Sequence, residues 1–156
     1  MKKYIFPVLL GLGAYGLYYI YKLKAAADKL SIKLGSLKLD TKASASTFYK
    51  TIVLNANVVV TNPTNTNITI SSIDLHFYVK GITLAVINYN NPFIIKSNTS
   101  TVIMLPVSID TINLISSTIG KGIITDLKAG KLDIGYSGFI KSGFFISKID
   151  DKIKLS

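Results

Sequence analysis

Cysteine, arginine, tryptophan and glutamate are all missing from this chain of 156 residues, and histidine occurs once. Without cysteine there can be no disulfide, thiol nucleophile or Cys-based zinc site. An acyl chain on a lipobox cysteine is excluded by the same absence. Base readout and phosphate clamping lean on the planar guanidinium fork, so the lack of arginine argues against sequence-specific nucleic-acid binding. With one histidine and only aspartate as acid, few combinations of catalytic or metal-binding groups remain.

Lysine alone carries the net charge of +10. Residues 1–50 hold nine lysines against Asp28 and Asp40, whereas residues 51–120 are neutral. The basic excess therefore surrounds the most apolar part of the chain, where anionic lipid headgroups would attract it.

That part runs from Tyr4 to Tyr21, YIFPVLLGLGAYGLYYIY, without a charge. As a helix it would measure about 27 Å, enough for a thin hydrocarbon core. The anchor residues expected in lipid are Tyr4, Ile5, Phe6, Val8, Leu9, Leu10, Leu12, Leu17, Tyr18, Tyr19, Ile20 and Tyr21. Lys2, Lys3, Lys22, Lys24, Lys29 and Lys33 are the candidate headgroup or polyanion contacts, part of a basic region that continues through Lys38 and Lys42 to Lys50. Tyr15, Tyr18, Tyr19 and Tyr21 crowd one end as an aromatic belt would. Lysines on both flanks leave the orientation open.

Two other readings of this segment compete. Ala25-Ala26-Ala27 offers a signal-peptidase site, but Lys22 and Lys24 stand where a neutral stretch is usual. Gly11-Leu12-Gly13-Ala14-Tyr15-Gly16 satisfies G-x-G-x-x-G, yet Pro7 interrupts the strand that a dinucleotide site requires, and no β-α alternation follows. Small residues on a membrane helix explain the glycines more simply.

Beyond residue 28, two-residue alternation dominates. Ile52, Leu54, Ala56, Val58 and Val60 form one face of a long strand stopped by Asn62-Pro63. Ile32 and Leu34, then Leu37 and Leu39, share a face only if Gly35-Ser36 bulges. Ile68 and Ile70 precede a phase shift at Ser71-Ser72, then Ile73, Leu75, Phe77 and Val79 continue to a turn at Gly81. A loop is expected over 88–92 and a strand over 101–109. Asp110 or Thr111 caps a short helix with Ile112, Ile115, Ile119 and Ile123 on one face. Three closing strands are expected over 131–137, 139–149 and 152–156, with Asp150-Asp151 in a hairpin turn.

The expected organisation is a transmembrane anchor over 1–28 and a mainly β, antiparallel immunoglobulin- or fibronectin-like sandwich with one short helix over 29–156. His76 falls on the outward face of its strand with Asp74, too few ligands for a metal. No nucleophile elbow, phosphate loop or zinc helix is present. Neither catalysis nor a cofactor is expected.

The strand ending in Asn62-Pro63, the Ile68–Gly81 pattern, the Ser100–Ile109 strand and the Ile112–Ile124 helix together resemble the group 2 late-embryogenesis-abundant fold, also called the water-stress-and-hypersensitive-response domain. The resemblance covers about residues 30–156 and implies a sandwich with one short helix, no catalytic residues and a role in stress protection. Some members carry the domain behind a membrane helix. The expected protein is thus a membrane-anchored, non-enzymatic domain partnered by an anionic bilayer. The alternative is a minor structural membrane protein of a lipid-containing virus (a bacteriophage) or an envelope assembly, with protein partners.

Overall fold

A computed structural model describes residues 5–143 and 145–155, with side chains from Tyr15 onward. The chain opens with helix α1 (Ile5–Ala27), followed by β1 (Ser31–Leu39), α2 (Thr41–Ser46), β2 (Thr51–Asn62), β3 (Ile68–Ile70) and β4 (Ser72–Val79). It continues with β5 (Ile82–Tyr89), β6 (Phe93–Ile95), β7 (Thr99–Asp110), α3 (Thr111–Ile115), α4 (Thr118–Lys128), β8 (Asp133–Ser142) and β9 (Phe145–Lys154).

Every strand pair is antiparallel. One sheet has the order β1-β2-β7, a second β5-β4-β8-β9, and β3 pairs with β6 in a short ribbon. The two larger sheets contribute to a single core. In β2 the alternation is realised residue by residue: Ile52, Leu54, Ala56, Val58 and Val60 are buried and their neighbours half-buried. Burying each of the larger side chains contributes about 1.5–3 kcal/mol. The register of β1 on β2 shifts between Leu34 and Ser36, so the bulge required by the hydrophobic phase is present and both Leu34 and Leu37 point inward.

A bulge leaves backbone groups out of the ladder. Here the buried Tyr136 hydroxyl, reaching from β8, accepts the Leu34 N–H at 3.3 Å. Burial pushes the Tyr136 pKa up, the Leu34 amide opposes this, and Asp151 adds to it. Stability linked to this tyrosine is complete below its unfolded value of about 10, and is lost as pH rises toward the higher folded value. Tyr136→Phe is expected to cost about 1–2 kcal/mol in urea denaturation at neutral pH, because the amide loses its acceptor. It should also flatten the fall in stability above pH ~10. An unchanged midpoint and an unchanged alkaline slope would count against this role.

Several expectations are corrected. The helical region after β7 is two helices, since Ser116-Ser117 breaks it, and α2 is a third short helix. Of the isoleucines at helical spacing, Ile123 is buried, with Leu114 and Leu127, whereas Ile112, Ile115 and Ile119 are exposed, because the break resets the helical phase. Two long strands, not three, close the fold. Their hairpin is at Gly143 (φ +58°), and Asp150-Asp151 lies inside β9. As the outer strand of its sheet, β9 tolerates charge on its open side. Asn88 and Tyr89 belong to β5, and β6 follows the shortened loop.

Tyr78 explains part of this arrangement. Its ring occupies the space over Gly135 of β8, where a side chain would collide with it. Its hydroxyl donates to Asp150 of β9 at 3.0 Å, which is the main reason its pKa is raised.

Among the described residues, no helix is long and apolar enough to cross a membrane. The transmembrane span expected over 1–28 is therefore unsupported in that form. Tyr15, Tyr18, Tyr19 and Tyr21 dilute the apolar character of α1, and the helix continues through Lys22 and Lys24.

The registers define two poles. Ser31, Asn62, Thr99 and Ser142 lie at the proximal one, where α1 joins; Leu39, Thr51, Asp110 and Asp133 lie at the distal one. The twelve residues of β2 separate them by about 40 Å.

Candidate lipid-facing site

Only the last turn of the described part of α1 is buried: Ala26 and Ala27 pack against the domain, and the Ser147 hydroxyl donates to the Ala27 carbonyl at 3.2 Å. Small side chains allow that close seat. Before them, Tyr15, Leu17, Tyr18, Tyr19, Ile20 and Tyr21 are between 51% and 72% exposed. At 100° per residue these positions surround the helix, so between Tyr15 and Tyr21 it presents uncharged aromatic and aliphatic side chains on every side, with Lys22 and Lys24 following.

Of the expected anchor and headgroup residues, Lys2, Lys3 and Tyr4 lie outside the described residues. Ile5, Phe6, Val8, Leu9, Leu10 and Leu12 are described as helical backbone. Leu17, Tyr18, Tyr19, Ile20 and Tyr21 come together on the exposed helix. Lys22, Lys24 and Lys29 are exposed near its junction with the domain, and the Lys22 ammonium sits 6.0 Å from the Tyr18 ring centroid. A lysine beside a tyrosine where a helix leaves the domain suits a headgroup layer. Lys33 is exposed on β1, two residues beyond its proximal end. Lys38, Lys42 and Lys50 are carried to the opposite half of the molecule, so the basic region that looks continuous in sequence is divided by the fold.

Two clefts flank α1. One, of about 300 Å³, lies between Lys22, Ala25, Ala26 and Lys29 and the loop Pro63–Thr66. The other, of about 340 Å³, lies between Tyr19, Ile20 and Leu23 and the ends of β3, β8 and β9.

Asn62 organises the loop beneath the first cleft. Fully buried, its amide donates to the carbonyls of Thr66 (2.8 Å), Lys96 (3.2 Å) and Ile95 (3.3 Å). Its side-chain oxygen accepts from the Thr64 amide and hydroxyl at 3.1 and 2.7 Å. The Asn-Pro that ends β2 is thus a structural knot as well as a stop. His76 is exposed on β4, as its alternation required. Among the described residues, no group of three or more His, Cys, Asp or Glu is placed to hold a metal.

The family profile described as "Late embryogenesis abundant protein" matches residues 57–148, more than half of the chain. The chain belongs to that family. The matched region opens inside β2, contains Asn62-Pro63 and ends in β9. The match carries the late-embryogenesis description, not the water-stress-and-hypersensitive-response one. No curated protein matches the sequence.

Among solved structures, a Bordetella pertussis protein described as ApaA has 6% identity and a TM-score of 0.50, covering 82% of this chain and 93% of its own. An Arabidopsis thaliana protein solved in solution has 20% identity and a TM-score of 0.49, covering 82% and 87%. A second solution structure, described as that of a late embryogenesis abundant (LEA) protein, has 18% identity and a TM-score of 0.44, covering 91% and 86%. The first likeness concerns fold alone. Membership of the late embryogenesis abundant family points to a stress-related, non-enzymatic protein.

Sequence reasoning missed the distal pole. Phe48 is 88% exposed and, like Tyr49, has positive φ, +52° and +57°. No periodicity marks Thr47-Phe48-Tyr49-Lys50. The helical spacing of Ile112, Ile115 and Ile119 is visible in the sequence, but their exposure is not.

Proposed function

We propose that this late embryogenesis abundant domain is held at a lipid bilayer by α1 and protects that bilayer during water stress, without catalysing a reaction. One observation carries the reading: the described side chains from Tyr15 to Tyr21 are uncharged, mostly exposed and distributed around the helix, while Ala26 and Ala27 in the last turn seat on the domain. Such a helix is stable when apolar surroundings cover it. The lysines at the junction add attraction to anionic headgroups of about 1 kcal/mol each, reduced by salt.

Flotation of the full-length chain with phosphatidylcholine–phosphatidylserine vesicles tests the attachment. Wild-type protein is expected to float with lipid, and Leu17→Asp/Ile20→Asp to lower the bound fraction roughly tenfold or more, since charge in the hydrocarbon layer is costly. Full-length protein remaining in the aqueous fraction would refute the attachment. For protection, vesicles bearing the protein should retain a trapped dye through drying and rehydration better than bare vesicles. Equal leakage would remove the protective part while leaving the attachment standing.

A further inference from the structure

The elements at the distal pole expose several large apolar side chains. Phe48 is 88% exposed, Ile112 60%, Ile115 51% and Ile119 59%. The chain between α2 and β2 is firmly held. The Phe48 amide donates to the Ala45 carbonyl at 2.9 Å and the Tyr49 amide to the Ser44 carbonyl at 3.0 Å. The Thr111 hydroxyl donates to the carbonyls of Tyr49 and Lys50, each at 2.8 Å, tying this turn to the start of α3. Two successive non-glycine residues at positive φ persist only where their surroundings over-determine them, and such strain collects at functional sites. The strain here keeps a phenylalanine projecting into solvent.

The charges around the cluster identify what it meets. Lys42, Lys50, Lys121 and Lys128 are exposed on the elements that carry it, and the Lys128 ammonium lies 4.9 Å from the Tyr49 ring centroid. The carboxylates of Asp40 and Asp110 are turned to the N-termini of α2 and α3, where they accept the amides of Ala43 and Ile112. The Ala43 amide is the first cause holding the Asp40 pKa down. With Asp126 on α4 the only other carboxylate on these elements, the four lysines exceed the three acids, and exposed apolar side chains beside them match an anionic bilayer surface, whose interface accepts apolar groups and whose headgroups attract lysine.

We infer that the distal pole is a second lipid-facing surface, inserting Phe48, Ile112, Ile115 and Ile119 into an anionic bilayer apposed to the one that holds α1. This rests on the attachment proposed above, and gives the domain a bridging geometry with its two lipid contacts about 40 Å apart.

The test places the full-length chain in phosphatidylcholine vesicles through α1 and adds a second, differently labelled population containing about 30% phosphatidylserine. Clustering of the two populations is read by energy transfer between the labels. The wild-type chain is expected to cluster anionic vesicles but not pure phosphatidylcholine ones, and to lose most of this in about 0.5 M salt. Phe48→Asn/Ile115→Ser should reduce clustering roughly tenfold, since asparagine tolerates the left-handed backbone and both positions are exposed. Circular dichroism verifies that the variant folds. A wild type that fails to cluster, clusters neutral vesicles equally, or does so only when both populations carry the protein would overturn the inference. The last of these outcomes would assign the surface to a second copy of the chain. Tethering the same chain to chelator lipids through an added N-terminal histidine tag presents the distal pole whether or not α1 inserts, so failure of the anchor and failure of the tip are read separately.

Discussion

Asn62→Asp is expected to lower the stability of the β domain by about 3–5 kcal/mol, the largest loss anticipated for an isosteric change in this chain. The wild-type amide nitrogen points at three carbonyl oxygens, and no water-facing route is open to the side chain. Aspartate keeps the shape but replaces that donor with an acceptor, leaving a buried negative charge against three partial negative charges. The loop 63–67, the end of β6 and the start of β7 would lose their common tie. Protonation restores one donor, so burial should push the new carboxyl's pKa up. Stability of the variant is then greatest below the unfolded aspartate value and is lost as pH rises through the folded one. Thermal unfolding followed by circular dichroism should show a melting temperature roughly 10–20 °C below wild type at pH 7, with a smaller gap at pH 4. A melting temperature within about 2 °C of wild type at pH 7 would show that the knot contributes little.

The same residue shows how far the sequence could be read. Asn62-Pro63 was legible as a stop because proline cannot continue a ladder and asparagine favours turns. Its role in joining residues 64, 66, 95 and 96 was not, because side-chain bonds over thirty residues leave no periodic trace. Where structure follows a local period, reading succeeded. β2 alternates as expected, and the Leu34–Leu37 phase conflict was resolved by a bulge at the expected place.

Where tertiary context overrides the local pattern, reading failed. Asp150-Asp151 has the chemistry of a turn but lies in an outer strand, with Asp150 engaged by Tyr78 from two strands away. The lysines from Lys22 to Lys50 looked like one basic site, yet α1 and the far end of β1 place them at different poles. The apolar N-terminal segment is helical as expected, but its tyrosines keep the described helix short of a spanning one. The family match lends no support to the viral-assembly alternative.

The helices after β7 show the same division at two neighbouring glycines, and the second large prediction concerns them. In the sequence Gly120 and Gly122 are indistinguishable, each weakening a helix by a similar amount. In the structure they are opposites. A β-carbon on Gly120 would collide with the carbonyl oxygen of Leu114 and lie 2.7 Å from its carbonyl carbon, backbone atoms that cannot swing away. The absence of a side chain lets α4 fold back against α3 after Ser116-Ser117, with the Ser117 hydroxyl accepting the Gly120 amide at 3.0 Å. That close approach carries Ile123 and Leu127 into the core. Gly122 has nothing within 4 Å of its would-be β-carbon. Gly120→Ala is therefore expected to destabilise the domain by about 2–3 kcal/mol through overpacking. Gly122→Ala should stabilise it by about 0.5–1 kcal/mol through helix propensity. Urea denaturation of both variants checks the pair, and shifts of the same sign would show that α3 and α4 do not meet at Gly120. Because Ile112, Ile115 and Ile119 are displayed by these two helices, loosening their junction in Gly120→Ala should also weaken vesicle clustering, while Gly122→Ala leaves it intact.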